Sequence, residues 1–245
     1  MCLWLRRLSL SKPSKPLPLS ELVEGNGDIL RFDGLSDWQR RQDDGTEGGP
    51  IVFAGSKAPS GAYVLRIRVV TDLWVRFGRY AGGAHIAVPA GAYAYVGSAL
   101  ALRGSTALAP RLLRHATRSG DQPPHAIRAD LLAACERAGL PAAGLPRRKK
   151  LFWNIDYLLD DLGVEIISVL AVRASQNLES YLARGLLAEP GVAPLAPRLG
   201  AHDSHDVAHL LRIPAQAGWW RQFVAQVTKA AQAAQDESCA IEKNP

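Results

Sequence analysis

The stretch Gly91-Ala92-Tyr93-Ala94-Tyr95-Val96-Gly97-Ser98-Ala99 constrains the fold most. Tyr93, Tyr95 and Ala99 alternate with Ala92, Ala94 and Val96. Aromatic and β-branched residues at a period of two specify a strand. Gly97 and Ser98 are read as its end, since a glycine after a strand lets the backbone turn or approach another group closely. Tyr95 is therefore expected at a strand end, its hydroxyl at the sheet rim. An upstream echo, Gly61-Ala62-Tyr63-Val64-Leu65, opens a strand that runs to Val70, with Val64, Arg66 and Arg68 alternating against Leu65, Ile67 and Val69. Leu73–Phe77 and His85–Val88 read as a further hairpin turning at Gly82-Gly83. No helix-length segment separates these strands, so the sheet is expected to be mainly antiparallel.

Beyond Gly104 the apolar period changes to that of a helix. Pro110 suits a first turn; Leu112, Leu113 and Ala116 mark an inward side, and Arg111, His115 and Arg118 share what reads as an outward stripe. A second helix is expected over 127–138, then a basic loop, Pro146-Arg147-Arg148-Lys149-Lys150, both within an insertion over about 119–150. Val164–Val172 is a strand, and Ser175 reads as the N-cap of a helix over 176–187 with Glu179 beside its leucine stripe. An amphipathic C-terminal helix is expected over 217–235. Residues 1–60, rich in Pro, Ser, Gly and charge, read as a linker-like extension in which 29–32 and 51–53 could be short strands. A chain starting near Ser60 is expected to fold by itself. The fold class is thus α+β: a small, mainly antiparallel sheet flanked by helices, with an N-terminal extension, a domain over 61–213 and a C-terminal helix and tail over 214–245.

Charge is unevenly placed. Of 29 basic and 23 acidic residues, segment 61–150 holds 14 basic against 4 acidic, a net +10 in a chain of net +6. A concentrated positive field suits a polyanion. No run approaches the ~20 apolar residues of a membrane span, so no membrane partner is expected. Three cysteines, Cys2, Cys135 and Cys239, far apart and odd in number, suit a reducing compartment, and the expected location is cytoplasmic.

The ordered set Gly61-Ala62-Tyr63, Tyr95-Val96-Gly97, Arg111 with His115, and Glu179 resembles the GIY-YIG nuclease superfamily. More closely, Tyr93–Ala99 and Asn154-Ile155-Asp156-Tyr157-Leu158 resemble its branch of stand-alone domains of unassigned function, over about residues 61–213. That resemblance implies an endonuclease acting on nucleic acid, DNA foremost. It implies Tyr63 and Tyr95 beside an attacking water, Arg111 on the scissile phosphate, His115 assisting proton transfer, and Glu179 on one Mg²⁺ or Mn²⁺. The types suit the roles: a guanidinium meets phosphate bidentately, a lone carboxylate suits Mg²⁺ completed by phosphate and water, and a phenol of pKa about 10 needs a cation to ionise. Arg114, Arg118, Arg147, Arg148, Lys149 and Lys150 are the expected nucleic-acid contacts. Tyr93, Gly97, Ser98, Asp156, Tyr157, Asp203 and His209 match features of the branch. The chain departs from it at Asn154, where the branch has histidine, and at Ser204 and Asp206, where it has cysteines.

Two other readings stand beside the nuclease. One is a nucleic-acid-binding module without catalysis. The other is a small metal-binding protein using His202, His205 and His209 with Asp203 and Asp206, whose spacing permits a Zn²⁺ or Ni²⁺ site.

Overall fold

The computed structural model describes residues 50–140, 149–200 and 208–242. The strands are β1 (Ile51–Gly55), β2 (Gly61–Val69), β3 (Leu73–Arg76), β4 (His85–Val88), β5 (Gly91–Ala99), β6 (Val164–Arg173), β7 (Ala193–Pro194) and β8 (Leu210–Ile213). The helices are α1 (Leu108–His115), α2 (Arg128–Arg137), α3 (Asn154–Leu159), α4 (Glu179–Ala188) and α5 (Ala217–Glu242). Six strands form one sheet in the order β1-β6-β2-β5-β8-β7, and β3 pairs with β4 alone. Every pairing in the large sheet is antiparallel except β1 with β6. The expected α+β class, with its mainly antiparallel sheet and C-terminal helix, is what the chain forms.

Alternation in β2 and β5 divides the core. Tyr63, Leu65, Ile67, Tyr93 and Tyr95 belong to one buried cluster with residues of α1, α2 and α3. Ala62, Val64, Ala92, Ala94 and Val96 belong to another with residues of α4 and α5. A period of two sends successive side chains to opposite faces, so one sequence repeat builds both layers.

Several expectations need correction. The sheet begins upstream of residue 61: Ile51–Gly55 pairs in parallel with Val169–Arg173, and Ile51 and Phe53 pack on the tyrosine-side cluster. Ser60 is therefore not a clean start, because a chain beginning there lacks an edge strand covered on both faces. The strand of the tyrosines continues through Gly97 and Ser98 to Ala99, since β2 supplies partners all the way: Tyr63 opposite Gly97, Ala62 opposite Ser98 and Gly61 opposite Ala99. Tyr95 consequently lies within the sheet, buried between Leu65 and Leu210 as cross-strand partners, not at a rim. Ser175 is not the cap of α4. The helix starts at Glu179, with Leu178 in the cap position and the Asn177 side chain accepting the Glu179 N–H at 3.0 Å. Residues 1–49, the loop holding Arg147 and Arg148, and the segment 201–207 with His202, Asp203, Ser204, His205 and Asp206 lie outside the described residues.

Candidate active site

Four side chains named from the sequence, Tyr63, Tyr95, Arg111 and His115, meet where β2 and β5 pass beneath α1. Tyr63 is fully buried, and its Oη lies 2.7 Å from His115 Nε2. Arg111 Nε donates to the same Oη at 3.3 Å. Arg111 and His115 share one side of α1 through their i, i+4 spacing. The Tyr63, Tyr95 and His115 rings form a triangle with centroids 6.4, 5.6 and 5.8 Å apart. This cluster requires Gly97. A Cβ there would stand 2.4 Å from Tyr63 Oη and 2.5 Å from Cζ, so only glycine lets the phenol lie across β5.

The stripe expected to face outward does the opposite. His115 and Arg118 are buried, and Arg111 is half-buried. The apolar side of α1 and this polar side are both covered, because α3 and the segment before it close over the helix. Asp156 in α3 organises that closure. Its Oδ2 accepts Arg114 Nη2 at 2.7 Å and the backbone N–H groups of Phe152 and Trp153 at 3.0 Å each. A carboxylate at the third helical position capping the preceding N–H groups is a stabilising N-terminal arrangement. Asp156 Oδ1 lies 3.7 Å from Lys149 Nζ and 3.9 Å from His115 Nδ1. Burial alone would raise the Asp156 carboxyl, but His115, Lys149 and those two backbone donors hold it below its ordinary value.

The same burial sets the protonation of the other groups. It drives His115 well below the ordinary imidazole value; Asp156 pulls upward, while Arg111, Lys149 and Arg114 add to the depression. His115 is neutral at pH 7. Burial pushes the Tyr63 phenol up to about 12 despite Arg111, and raises Tyr95 well above 10. The phenol accepts from Arg111, so its own proton is assigned to His115 Nε2, which leaves the imidazole proton on Nδ1 facing Asp156. The arrangement can pass a proton from Tyr63 to His115, with Arg111 beside the resulting phenolate and Asp156 beside the imidazolium.

Glu179 approaches from the first turn of α4. Its Oε2 accepts Ser98 Oγ at 2.6 Å and its Oε1 lies 3.1 Å from His209 Nδ1. Burial would raise this carboxyl, but His209, Ser98 and the Arg111 charge lower it. A carboxylate in a first helical turn is further favoured by the helix dipole. Ser98 and His209 thus acquire a definite place, holding Glu179. Gly200 matters here too, since a Cβ on it would stand 3.1 Å from His209 Cβ and 3.4 Å from Tyr95 Cε2. Among the described residues no group of three or more His, Cys, Asp or Glu could hold a metal ion. Glu179 has acceptor positions beyond the two in use, which fits a cation completed by substrate oxygens and water.

The expected nucleic-acid cations divide differently. Arg114 is committed to Asp156 and to the Lys150 carbonyl at 2.6 Å. Arg118 lies beyond α1 and donates to Glu165 at 2.8 Å, the Pro123 carbonyl at 2.8 Å and the Val164 carbonyl at 2.5 Å. Lys149 is buried and donates to the Thr117 carbonyl at 2.9 Å. These three brace the fold, because carboxylates and carbonyls distant in sequence neutralise them inside it. Lys150 is exposed. Tyr93 and Tyr157 stand apart from the cluster: Tyr93 Oη donates to the Pro89 carbonyl at 2.6 Å, and the Tyr157 ring packs on Gly78.

Sequence reasoning passed over Trp153, whose ring carries the Arg111 guanidinium at 4.1 Å from its centroid. A cation over an indole face is held in place while its N–H groups stay available. Only the aromatic pair Phe152-Trp153 hinted at this role.

No helix among the described residues is long and apolar enough to cross a membrane. Neither a curated protein nor a solved structure matches the chain. A family domain of unknown function matches residues 62–232, from β2 into α5 and including every residue of the cluster, and the chain belongs to that family, DUF123.

Proposed function

We propose that this protein is a metal-assisted phosphodiesterase acting on nucleic acid, of the GIY-YIG type. The observation that carries the reading is the Tyr63 phenol set between Arg111 at 3.3 Å and a neutral His115 at 2.7 Å. That set, with Glu179 held by Ser98 of β5 and lying beside His209, supports one centre assembled from β2, β5, α1 and α4. Arg111, stacked on Trp153, binds the scissile phosphate and neutralises charge that develops on it. Tyr63 takes a proton from the attacking water as it gives its own to His115, which later returns one to the leaving oxygen. Glu179, steadied by Ser98 and His209, is the residue that would hold Mg²⁺ or Mn²⁺. Such an ion would polarise the phosphate.

Single-turnover cleavage and equilibrium binding, run on branched, flapped, single-stranded and duplex substrates with Mg²⁺ or Mn²⁺, test this. Glu179→Ala should abolish cleavage and leave binding intact. Arg111→Ala should lower both, and Tyr95→Phe should slow turnover with little change in affinity. Full cleavage by Glu179→Ala sinks the reading.

Burial of both phenols favours a second reading, a nucleic-acid-binding module that does not cleave. A phenol with no exposed surface and a pKa near 12 is a poor base. In that case only Arg111→Ala would alter the behaviour of the protein, and it would alter binding alone.

A further inference from the structure

We infer that Phe152 is a stacking platform for an unpaired nucleobase flanking the bound phosphate, so that the preferred substrate carries single-stranded nucleotides at the site. The inference rests on the nucleic-acid reading above.

Phe152 is 72 % exposed, as is Trp74, but of the two only Phe152 adjoins the residue whose ring carries Arg111. Its ring meets Trp153 edge-on, with centroids 4.9 Å apart and planes at 84°. Trp153 in turn carries the Arg111 guanidinium. A phosphate ligand, an indole and an open phenyl ring therefore follow one another outward from the centre.

The segment bearing the phenyl ring is fixed. Backbone N–H groups of Phe152 and Trp153 both end on Asp156, and the Lys150 carbonyl is bound by Arg114, which also ends on Asp156. The exposed ring thus projects from an anchored backbone, and little ordering entropy is lost when a partner stacks on it. Lys150, exposed and two residues upstream, adds positive charge on the same segment.

A flat apolar ring beside a phosphate-binding guanidinium matches a nucleotide, with its anionic phosphate and its π-face. Aromatic side chains alongside cations are how single strands are held without reading sequence, because every base offers a π-face. A base inside an intact duplex already has both faces stacked and cannot use the ring. The chemistry commits to an unpaired base.

The test is equilibrium binding of the full chain, by fluorescence anisotropy without divalent metal, to three labelled probes: a duplex, the same strand single, and the single strand with an abasic site at successive positions. Phe152→Ala should weaken single-strand binding roughly tenfold or more, leave duplex binding unchanged and leave melting unchanged. Phe152→Tyr should retain wild-type affinity. An abasic site at one position should weaken wild-type binding and abolish the difference between wild type and Phe152→Ala. Equal affinity of Phe152→Ala and wild type for the single strand, or equal losses on single strand and duplex, overturns the platform and leaves the nucleic-acid reading standing. Failure of the wild type to bind any probe at low salt overturns both.

Discussion

On one side of β5, Tyr93, Tyr95 and Ala99 join the cluster under α1, α2 and α3; on the other, Ala92, Ala94 and Val96 join the cluster under α4 and α5. The first side buries hydroxyl, imidazole, guanidinium and carboxylate groups, each matched to a partner across the chain. The second holds mostly aliphatic and small residues under a 26-residue helix whose Trp220 and Phe223 fill the remaining space. Alternation lets one nine-residue strand serve both, but with unlike tolerances. A polar layer depends on the exact placement of donors and acceptors. An apolar layer depends on volume. Substitutions on the two sides should therefore fail in different ways.

The largest loss of stability is expected on the apolar side. Phe223→Ala should cost about 3–5 kcal/mol, seen in chemical denaturation. Cleavage per folded molecule should be unchanged; a loss of specific activity would mean that repacking of this layer displaces Glu179, which stands on α4.

Acid should act on the polar side. Burial and Arg118 depress His125 to about 4 despite Glu165, and burial depresses His115 as well. With folded values below the unfolded value near 6.5, the unfolded chain binds protons that the folded chain refuses. Stability is thus full above pH ~6.5 and falls as pH drops toward 4, by about 3 kcal/mol for His125 alone. Melting temperature followed from pH 7 to 4.5 should decline, and His125→Gln should flatten the slope. An unaltered slope in that variant would assign acid sensitivity elsewhere.

Gly97→Ala should be smaller in stability and larger in chemistry. The added methyl meets a locked phenol at 2.4 Å, which predicts a loss of about 1–3 kcal/mol and a fall in cleavage of roughly a hundredfold from displacement of Tyr63. Near-native cleavage would show that Tyr63 is dispensable there.

The smallest effect separates two tyrosines of one strand. Tyr93→Phe removes only a bond to the Pro89 carbonyl, about 0.5–1.5 kcal/mol, and should spare activity that Tyr95→Phe slows. Equal activities for the two variants would erase the distinction.

Strands β2 to β6 and the tyrosine set were legible because alternation is local; β7 and β8 were not, and Gly97 read as a strand end where the strand continues and the Tyr63 phenol lies across it. The partners were not legible either. Charge counts cannot tell that Arg114, Arg118 and Lys149 end on Asp156, Glu165 and a backbone carbonyl, because tertiary contacts bring those groups together. For the same reason His115 reads as an exposed helix residue when the helix is viewed alone; α3, some forty residues on, covers it. Glu179 was found as a residue, but its support by Ser98 and His209 depends on where β5 and β8 end. Residues 51–53 read as a possible strand, but their place in the sheet was not legible, because the partner of Ile51–Gly55 lies more than a hundred residues away.

That partner has a consequence for how the protein is made. β6 lies between β1 and β2, touching both, yet it is the last of the three to leave the ribosome. At about 5–20 residues per second, the interval between residue 69, where β2 ends, and residue 173 is roughly 5–21 s. Through that time the hydrogen-bonding edge of β2, with Val64, Leu65 and Ile67 along it, waits without its neighbour. Such an edge invites pairing with another nascent chain, so the yield of soluble protein should depend on translation speed across residues 70–163 more than on the final stability of the fold.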